Sequence, residues 1–589
     1  MIERPELQRS SGRDAAALLF FAVAAVALSW PMAASLSESV SLRGDYFINL
    51  WNFWWMKSSA LEAGTSPYFT EALFHPLGVS LARHTLSPLN SFFGAVLSDP
   101  LGPNGAFNFL LLIHSALSGW TFYLLASRLT GSRAGALFAG CMWAFNPYHA
   151  FYMAQMNVST LEFLPLAAYF MVSLWRTGSR SAGLGVILSA GLLAATSFYY
   201  LVYVAFLGGL LLVGGRSVAP DVSFATGARR LLPFGIASAF LVVLVAWPMV
   251  AAILGAEPPV ESATAVGDLA RQSLRSNDLL GFAWVGPPER LIVSWPTMFG
   301  YTALVMLLVG VVALRQRVAW LVAAGAFFLL SLGPELQVGG QVTGVTLPYA
   351  WLSELPVFSM LRKPDRFFVL VEFFIALLCA QAWVSISARL RSSVLRRALG
   401  CLAVLALCAE FSMAPLRVHV LPVSPLLEDL AATGAKSLVD LPLYGGGPFD
   451  ARSNHAQTLH GLAIPSGYVT NLALTEEHRN NAAKWKRADA LLDRGDASRI
   501  TSLMESQGVD LVVLHATVPV RRAPSSADGL LVWLPFSLSE AGLVEMRQRG
   551  HLEEQLVPLS EWTTRRQTLI DALGEPLVED ERIAVFRRP

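Results

Sequence analysis

A single acidic side chain opens the polar stretch that follows the first apolar run of this chain. Arg43-Gly44-Asp45-Tyr46-Phe47 leads directly into Trp51-Asn52-Phe53-Trp54-Trp55. A carboxylate walled by tryptophan beside a membrane must be solvated or paired, and near lipid both are costly. Asp45 is therefore a functional candidate before it is a structural one. The stretch continues through His75-Pro76-Leu77-Gly78 and Arg83-His84-Thr85-Leu86-Ser87-Pro88-Leu89-Asn90. Two histidines, an arginine and an aspartate in one amphipathic loop point to a site. The plainer reading is an aromatic belt with incidental polar residues, since Trp51, Trp54, Trp55, Tyr68 and Phe69 suit helices lying flat at an interface.

A second anomaly is Leu361-Arg362-Lys363-Pro364-Asp365-Arg366-Phe367. Three basic residues stand at a helix entrance, where they oppose the helix macrodipole and the tendency of basic residues to stay inside. An anionic ligand resolves both conflicts, because guanidinium groups and a helix N-terminus together bind phosphate well. Pairing of Arg362 or Arg366 with Asp365, Glu354 or lipid headgroups remains the alternative. Glu162 lies within an otherwise apolar span near its end. It is either a functional carboxylate or one hydrogen-bonded to Tyr148, His149 or Asn157. The mixed charges Glu257, Glu261, Asp268, Arg271, Arg275, Asp278 and Arg290 read as a solvated face or flap.

These residues must be held by membrane-spanning helices. The hydrophobic fraction is 54% and the charged fraction 14%, with a mean hydropathy of +0.50, which excludes an ordinary soluble protein. Apolar runs at 15–34, 106–126, 134–149, 159–175, 183–198, 200–215, 231–254, 298–314, 318–333, 367–388 and 398–414 predict about eleven helices. Pro147 and Pro165 are expected to kink or end theirs. Splitting 183–215 at Thr196-Ser197 puts Arg128/Arg133, Arg176/Arg180, Arg216/Arg229/Arg230, Arg315/Arg317 and Arg389/Arg391/Arg396/Arg397 on the side of the N-terminus, taken as cytoplasmic. Residues 1–14 are then the cytoplasmic N-terminus and 15–414 the transmembrane domain, with outer loops 36–105, 255–297 and 334–366. Residues 415–589 form an extracytoplasmic domain. There Val439–Leu443, Val509–Leu514 and Ile583–Phe586 read as strands and 474–506 as helical, enough for one small α/β domain with its own core.

Other chemistries find no support. The net charge of +1 gives no argument for a nucleic-acid partner. Cys141, Cys379, Cys401 and Cys408 all fall in apolar runs, without disulfide or metal-ligand spacing. No Walker loop, His-Glu-x-x-His or serine elbow occurs, and Tyr444-Gly445-Gly446-Gly447-Pro448 reads as a turn.

The assembled pattern resembles the class C (GT-C) glycosyltransferases, in particular a large bacterial group of polytopic membrane proteins. The matching stretches are Gly44-Asp45-Tyr46 with Leu50–Trp55, Ser66-Pro67-Tyr68-Phe69, Phe74–Gly78, His84–Asn90, Asn146-Pro147-Tyr148 and Leu361–Phe367. The resemblance implies an all-α polytopic membrane domain followed by the small α/β domain. It also implies an enzyme that takes a sugar from a polyprenyl-phosphate donor to an extracytoplasmic glycan, lipid or protein. Asp45 matches the acidic residue that serves such enzymes as base or as stabiliser of the transferring sugar. Arg362, Lys363 and Arg366 would bind the donor phosphate, and His75, Arg83, His84, Asn90, Tyr148 and Glu162 would position substrate. Many members pair two acids in the first loop, whereas Asp45 lacks an acidic neighbour. That leaves dependence on a divalent metal open, with no other cofactor implied. The alternative is a non-catalytic subunit, or a lipid-linked-sugar binding component of an envelope-glycan pathway, that keeps the fold.

Overall fold

The computed structural model describes residues 11–38, 44–255, 276–279, 299–310, 318–338, 341–355, 361, 363–412, 424–443, 451–469, 474–522 and 553–589. The chain opens with α1 (Ser11–Leu28), α2 (Gly44–Met56) and the long α3 (Pro88–Thr130). Helix α3 is bent at Gly102, whose φ of 69° lies between Pro100 and Pro103. Proline lacks the N–H that a continuous helix needs, and glycine accepts the left-handed φ, so the bend falls there. Then come α4 (Arg133–Phe145), α5 (Pro147–Tyr152), α6 (Met156–Ser159), α7 (Phe163–Thr177), α8 (Arg180–Ala194), α9 (Phe198–Gly214) and α10 (Phe224–Leu254). The bundle is completed by α11 (Tyr301–Val309), α12 (Val318–Ser331), α13 (Phe368–Arg389) and α14 (Ser393–Phe411).

Among the described residues, five helical stretches are long and apolar enough to cross a membrane: Pro88–Thr130, Met156–Thr177, Phe198–Ser217, Phe224–Leu254 and Pro364–Arg389. The last is 89% buried over its apolar window and α10 only 11%, so α13 is the central helix and α10 faces outward. The stretch 183–215 does break, between Ala194 and Phe198. The two prolines differ: α4 ends at Phe145, just before Asn146-Pro147, as expected for Pro147, whereas Pro165 neither ends nor kinks its helix. Pro147 stands at the first position of α5, capped by Asn146, and Pro165 lies in the first turn of α7. First-turn N–H groups have no helical partner, so both prolines start helices, and neither kinks one.

The polar contacts define the two ends of the bundle. At one, Arg176 donates to the Arg128 carbonyl (2.7 Å) and the Val218 carbonyl (2.9 Å), and Arg230 donates to the Trp175 and Arg176 carbonyls. These guanidinium groups cap the C-termini of α3 and α7, where the helix dipole favours positive charge. At the other, Asn90 donates to Thr160 Oγ1 (2.9 Å) and Ser87 to the Thr196 carbonyl (2.9 Å), drawing together the starts of α3, α7 and α9.

The C-terminal segment carries a four-stranded sheet in the order β3 (Leu438–Leu441), β4 (Leu511–His515), β6 (Ile583–Arg587), β5 (Val578–Glu579). Strands β3 and β4 are parallel, the rest antiparallel. The crossover between β3 and β4 contains α15 (Ala451–His460), α16 (Glu476–Leu492) and α17 (Ser498–Gln507). Alternate residues divide cleanly between two cores. Val439, Leu441, Val512, Leu514, Ala584 and Phe586 pack with Trp485, Ile500 and Met504 of the domain's own helices. Leu438, Leu511, Val513, Ile583 and Val585 instead pack with Trp51, Leu73, Phe74, Val79 and Leu81. With both faces covered, the strands read as near-continuous apolar runs.

The expected free-standing core is thus only half of the arrangement, because the second face of the sheet is completed by the loop after α1. Trp51 is fully buried, with its indole N–H on Gln457 Oε1 (2.7 Å). It is therefore a core residue and not part of an interfacial belt. Backbone bonds run from Ile464 to the Ala72 carbonyl and from His75 to the Ile464 carbonyl. In the same loop, β1 (Phe69–Thr70) pairs with β2 (Val79–Ser80). Gly78 turns there at φ +64, and a Cβ would lie 2.8 Å from the Phe69 ring and 2.9 Å from the Thr70 carbonyl.

Candidate active site

Three segments remote in sequence meet beside the start of α2. Asp45 is in the first turn of that helix, half-buried, and its Oδ2 accepts from Gln155 Nε2 at 2.7 Å. Gln155 Oε1 accepts in turn from Arg366 Nη2 at 2.8 Å. One amide therefore connects the acidic and the basic candidate. Asn49 ties the support together, donating to the Asp45 carbonyl (2.7 Å) and the Ala154 carbonyl (3.1 Å).

Arg366 is buried at 6% exposure in the short turn Pro364–Phe367 that leads into α13. Its guanidinium lies 4.2 Å from the Tyr199 ring centroid and 5.7 Å from that of Tyr152. Aromatic faces partly compensate a buried cation where water is excluded. Its Nε has no hydrogen-bond partner among the described residues. The Tyr152 hydroxyl donates to Asp365 Oδ2, while Asp365 Oδ1 is buried without a partner among those residues. Lys363 Nζ sits 5.5 Å from the centroid of the Tyr152 ring. Tyr148 packs on Tyr152 with centroids 4.7 Å apart, and its buried hydroxyl is also unpartnered. A buried N–H donor, a buried carboxylate oxygen and a hydroxyl able to donate or accept, all left open around one tyrosine, suit a ligand that carries both kinds of group.

The other candidates are held elsewhere. His75 Nε2 contacts the Gln507 carbonyl (3.1 Å) of the C-terminal segment. His84 is buried against Asn52 Oδ1 (3.1 Å), Asn90 bonds Ser87 and Thr160, and Arg83 is exposed. Glu162 pairs with His114 Nδ1 at 2.6 Å inside the bundle, and Ser118 reaches its other oxygen at 3.5 Å. Its partner is thus on α3 and is none of Tyr148, His149 or Asn157. Lying in one polar loop did not bring His75, His84 and Asn90 to Asp45, because a carbonyl of the C-terminal segment holds the first, Asn52 the second, and Ser87 with Thr160 the third. Arg362 lies outside the described residues, as do Glu257, Glu261, Asp268, Arg271, Arg275, Arg290 and the turn at 444–448. Asp278, expected on a solvated face, is 2% exposed. Among the described residues, no group of three His, Cys, Asp or Glu side chains gathers as a metal site.

Sequence reasoning missed Gln155, Tyr152, Tyr199 and Asp365 as members of the cluster. Asp365 was in view only as a partner for arginine. The others are neutral, and a neutral side chain in a short connection gives no signal until the charges it serves are known.

No protein-family model matches the sequence, and no curated protein matches it. Solved structures do. The archaeal oligosaccharyltransferase AglB from Archaeoglobus fulgidus, in complex with an inhibitory peptide and a dolichol-phosphate, superposes with a TM-score of 0.50 at 11% identity, covering 86% of this chain and 70% of AglB. The arabinofuranosyltransferase AftD from Mycobacteria gives a TM-score of 0.51 at 16% identity, covering 86% of this chain but 37% of AftD. The chain has the fold of the class C glycosyltransferases, which are polytopic membrane proteins.

Proposed function

We propose that this chain is a membrane glycosyltransferase that transfers a sugar from a polyprenyl-phosphate donor to an acceptor hydroxyl or amide on the extracytoplasmic face of a bacterial inner membrane. The acceptor is a glycan, a lipid or a protein. The observation that carries the reading is the convergence of Asp45 and Arg366 on one amide. In this reading the bundle spans the membrane about eleven times, the arginine-capped end faces the cytoplasm, and the site and the C-terminal domain face outward. The shared core of that domain and the first loop supports placing both on one side.

Asp45 takes the proton from the acceptor as its oxygen or nitrogen bonds to the sugar's anomeric carbon. The bond from that carbon to the phosphate oxygen breaks, and the electron pair leaves on the lipid phosphate. Arg366, with Lys363 and Arg362, stabilises that charge. Tyr148 and the open oxygen of Asp365 hold polar groups of the donor, and the dolichol-phosphate in the AglB complex accords with this chemistry.

The test is transfer of labelled sugar from polyprenyl-phosphate donors by protein reconstituted in lipid. Asp45→Asn is expected to lose roughly 10²- to 10⁴-fold in turnover while the protein still folds and binds lipid. Unchanged turnover in Asp45→Asn removes Asp45 from the chemistry. Donor binding without turnover in the unaltered protein supports the non-catalytic subunit instead.

A further inference from the structure

We infer that Gln155 is a positioning residue that acts as a neutral spacer, keeping Asp45 and Arg366 from closing on each other so that both charges remain available to substrate. The inference rests on the glycosyltransferase reading for its purpose but not for its geometry.

A carboxylate and a guanidinium brought together where water is scarce form a direct, commonly bidentate ion pair. Such a pair would consume the base and the phosphate clamp together. Here an amide stands between them, and its orientation follows from its partners: a carboxylate can only accept and a guanidinium can only donate. Thus Nε2 faces Asp45 at 2.7 Å and Oε1 faces Arg366 at 2.8 Å. Each charge is hydrogen-bonded by the amide without being neutralised. One donor of Arg366, Nε, still lacks a partner among the described residues.

The spacer is itself held from several sides. Gln155 N donates to the Tyr152 carbonyl (2.8 Å), and its own carbonyl accepts from Val158 N (2.8 Å) and Ser159 N (2.9 Å). The preceding Ala154 carbonyl is pinned to α2 through Asn49. An amide so anchored sets the separation of the two charges instead of following it.

The deciding experiment is a cryo-electron microscopy map of Gln155→Ala in lipid nanodiscs beside one of the unaltered chain. The expected result is a direct Asp45–Arg366 ion pair in the variant, about 2.8 Å between nitrogen and oxygen, and the intervening amide in the unaltered chain. Gln155→Ser gives the same readout should the alanine variant not fold. Charges that stay apart without the amide overturn the spacer. Kinetics supply the second arm. Gln155→Glu is expected to lose at least tenfold in turnover and to shift the acid limb of its pH profile upward, because a second carboxylate raises the pKa of the first. An unaltered protein that transfers no sugar defeats the glycosyltransferase reading alone, and the two maps still decide the spacer.

Discussion

His84 and His460 show how individual side chains couple this molecule to pH. Burial pushes the His84 ring down to about 4. Its Nε2 donates to Asn52 Oδ1, whose amide is oriented by Asn52 Nδ2 on the Thr85 carbonyl, so Nδ1 has no acceptor among the described residues to meet when it is protonated. His460 is likewise held at about 4 by burial, against the pull of Asp440 and with His515 assisting. Its Nδ1 accepts from Leu462 N. Both folded pKa values lie below the unfolded value near 6.5. Stability is therefore complete above that value and falls as the pH drops towards 4, by up to about 3 kcal/mol for each ring. Thermal midpoints in nanodiscs between pH 7.5 and 4.5 should fall more steeply for the native chain than for His84→Gln/His460→Gln. Equal slopes would remove these rings from the account. At this scale the sequence was informative about charge: Asp45 and Arg366 stood out because an apolar setting makes an ion conspicuous. It was silent on Gln155, whose role exists only between two ions drawn from other segments.

Among the elements, close helix packing depends on a few missing side chains. Phe21 of α1 is fully buried between Gly119 of α3 and Gly140 of α4. A Cβ on Gly140 would lie 2.5 Å from the Phe21 ring and 2.6 Å from the Gly119 carbonyl, and backbone cannot step aside as a side chain can. Gly140→Ala is expected to destabilise by roughly 1–3 kcal/mol, measured as a lower midpoint in detergent. Gly209, with nothing among the described residues within 4 Å of its would-be Cβ, is the control. An unchanged midpoint for Gly140→Ala would show that α1 is not wedged there. Helix positions were legible because hydropathy reports burial and lipid exposure alike. For the same reason Trp51 was misread: a tryptophan against lipid and one against a sheet have the same sequence signature. The bend in α3 at Gly102 lay unannounced between its two prolines.

At the scale of the whole molecule, the site helix α2 is supported from the far end of the chain. Trp51 is held by Gln457, and Phe47 stacks near His455 at 5.3 Å with Arg452 over its ring. Removing residues 583–589, which hold the strand Ile583–Arg587, should expose Trp51, Leu73 and Phe74 and cost activity along with solubility. Protease sensitivity at 66–87 together with turnover would measure it. A truncated protein that keeps a protected loop and full turnover would show the support to be dispensable. The sequence indicated the sheet but not its second face, because complementarity between residues 51–81 and 438–585 is a property of surfaces and leaves no local pattern.

That shared core also imposes an order on biogenesis. Trp51, Leu73 and Phe74 leave the ribosome hundreds of residues before Ile583 and Val585, the strand residues that complete their burial. Through the insertion of every intervening helix, the first loop must wait with its apolar face uncovered. The geometry around Asp45 can be finished only after Ile583 and Val585 have been synthesised, so a nascent chain carries the parts of its site long before it can use them.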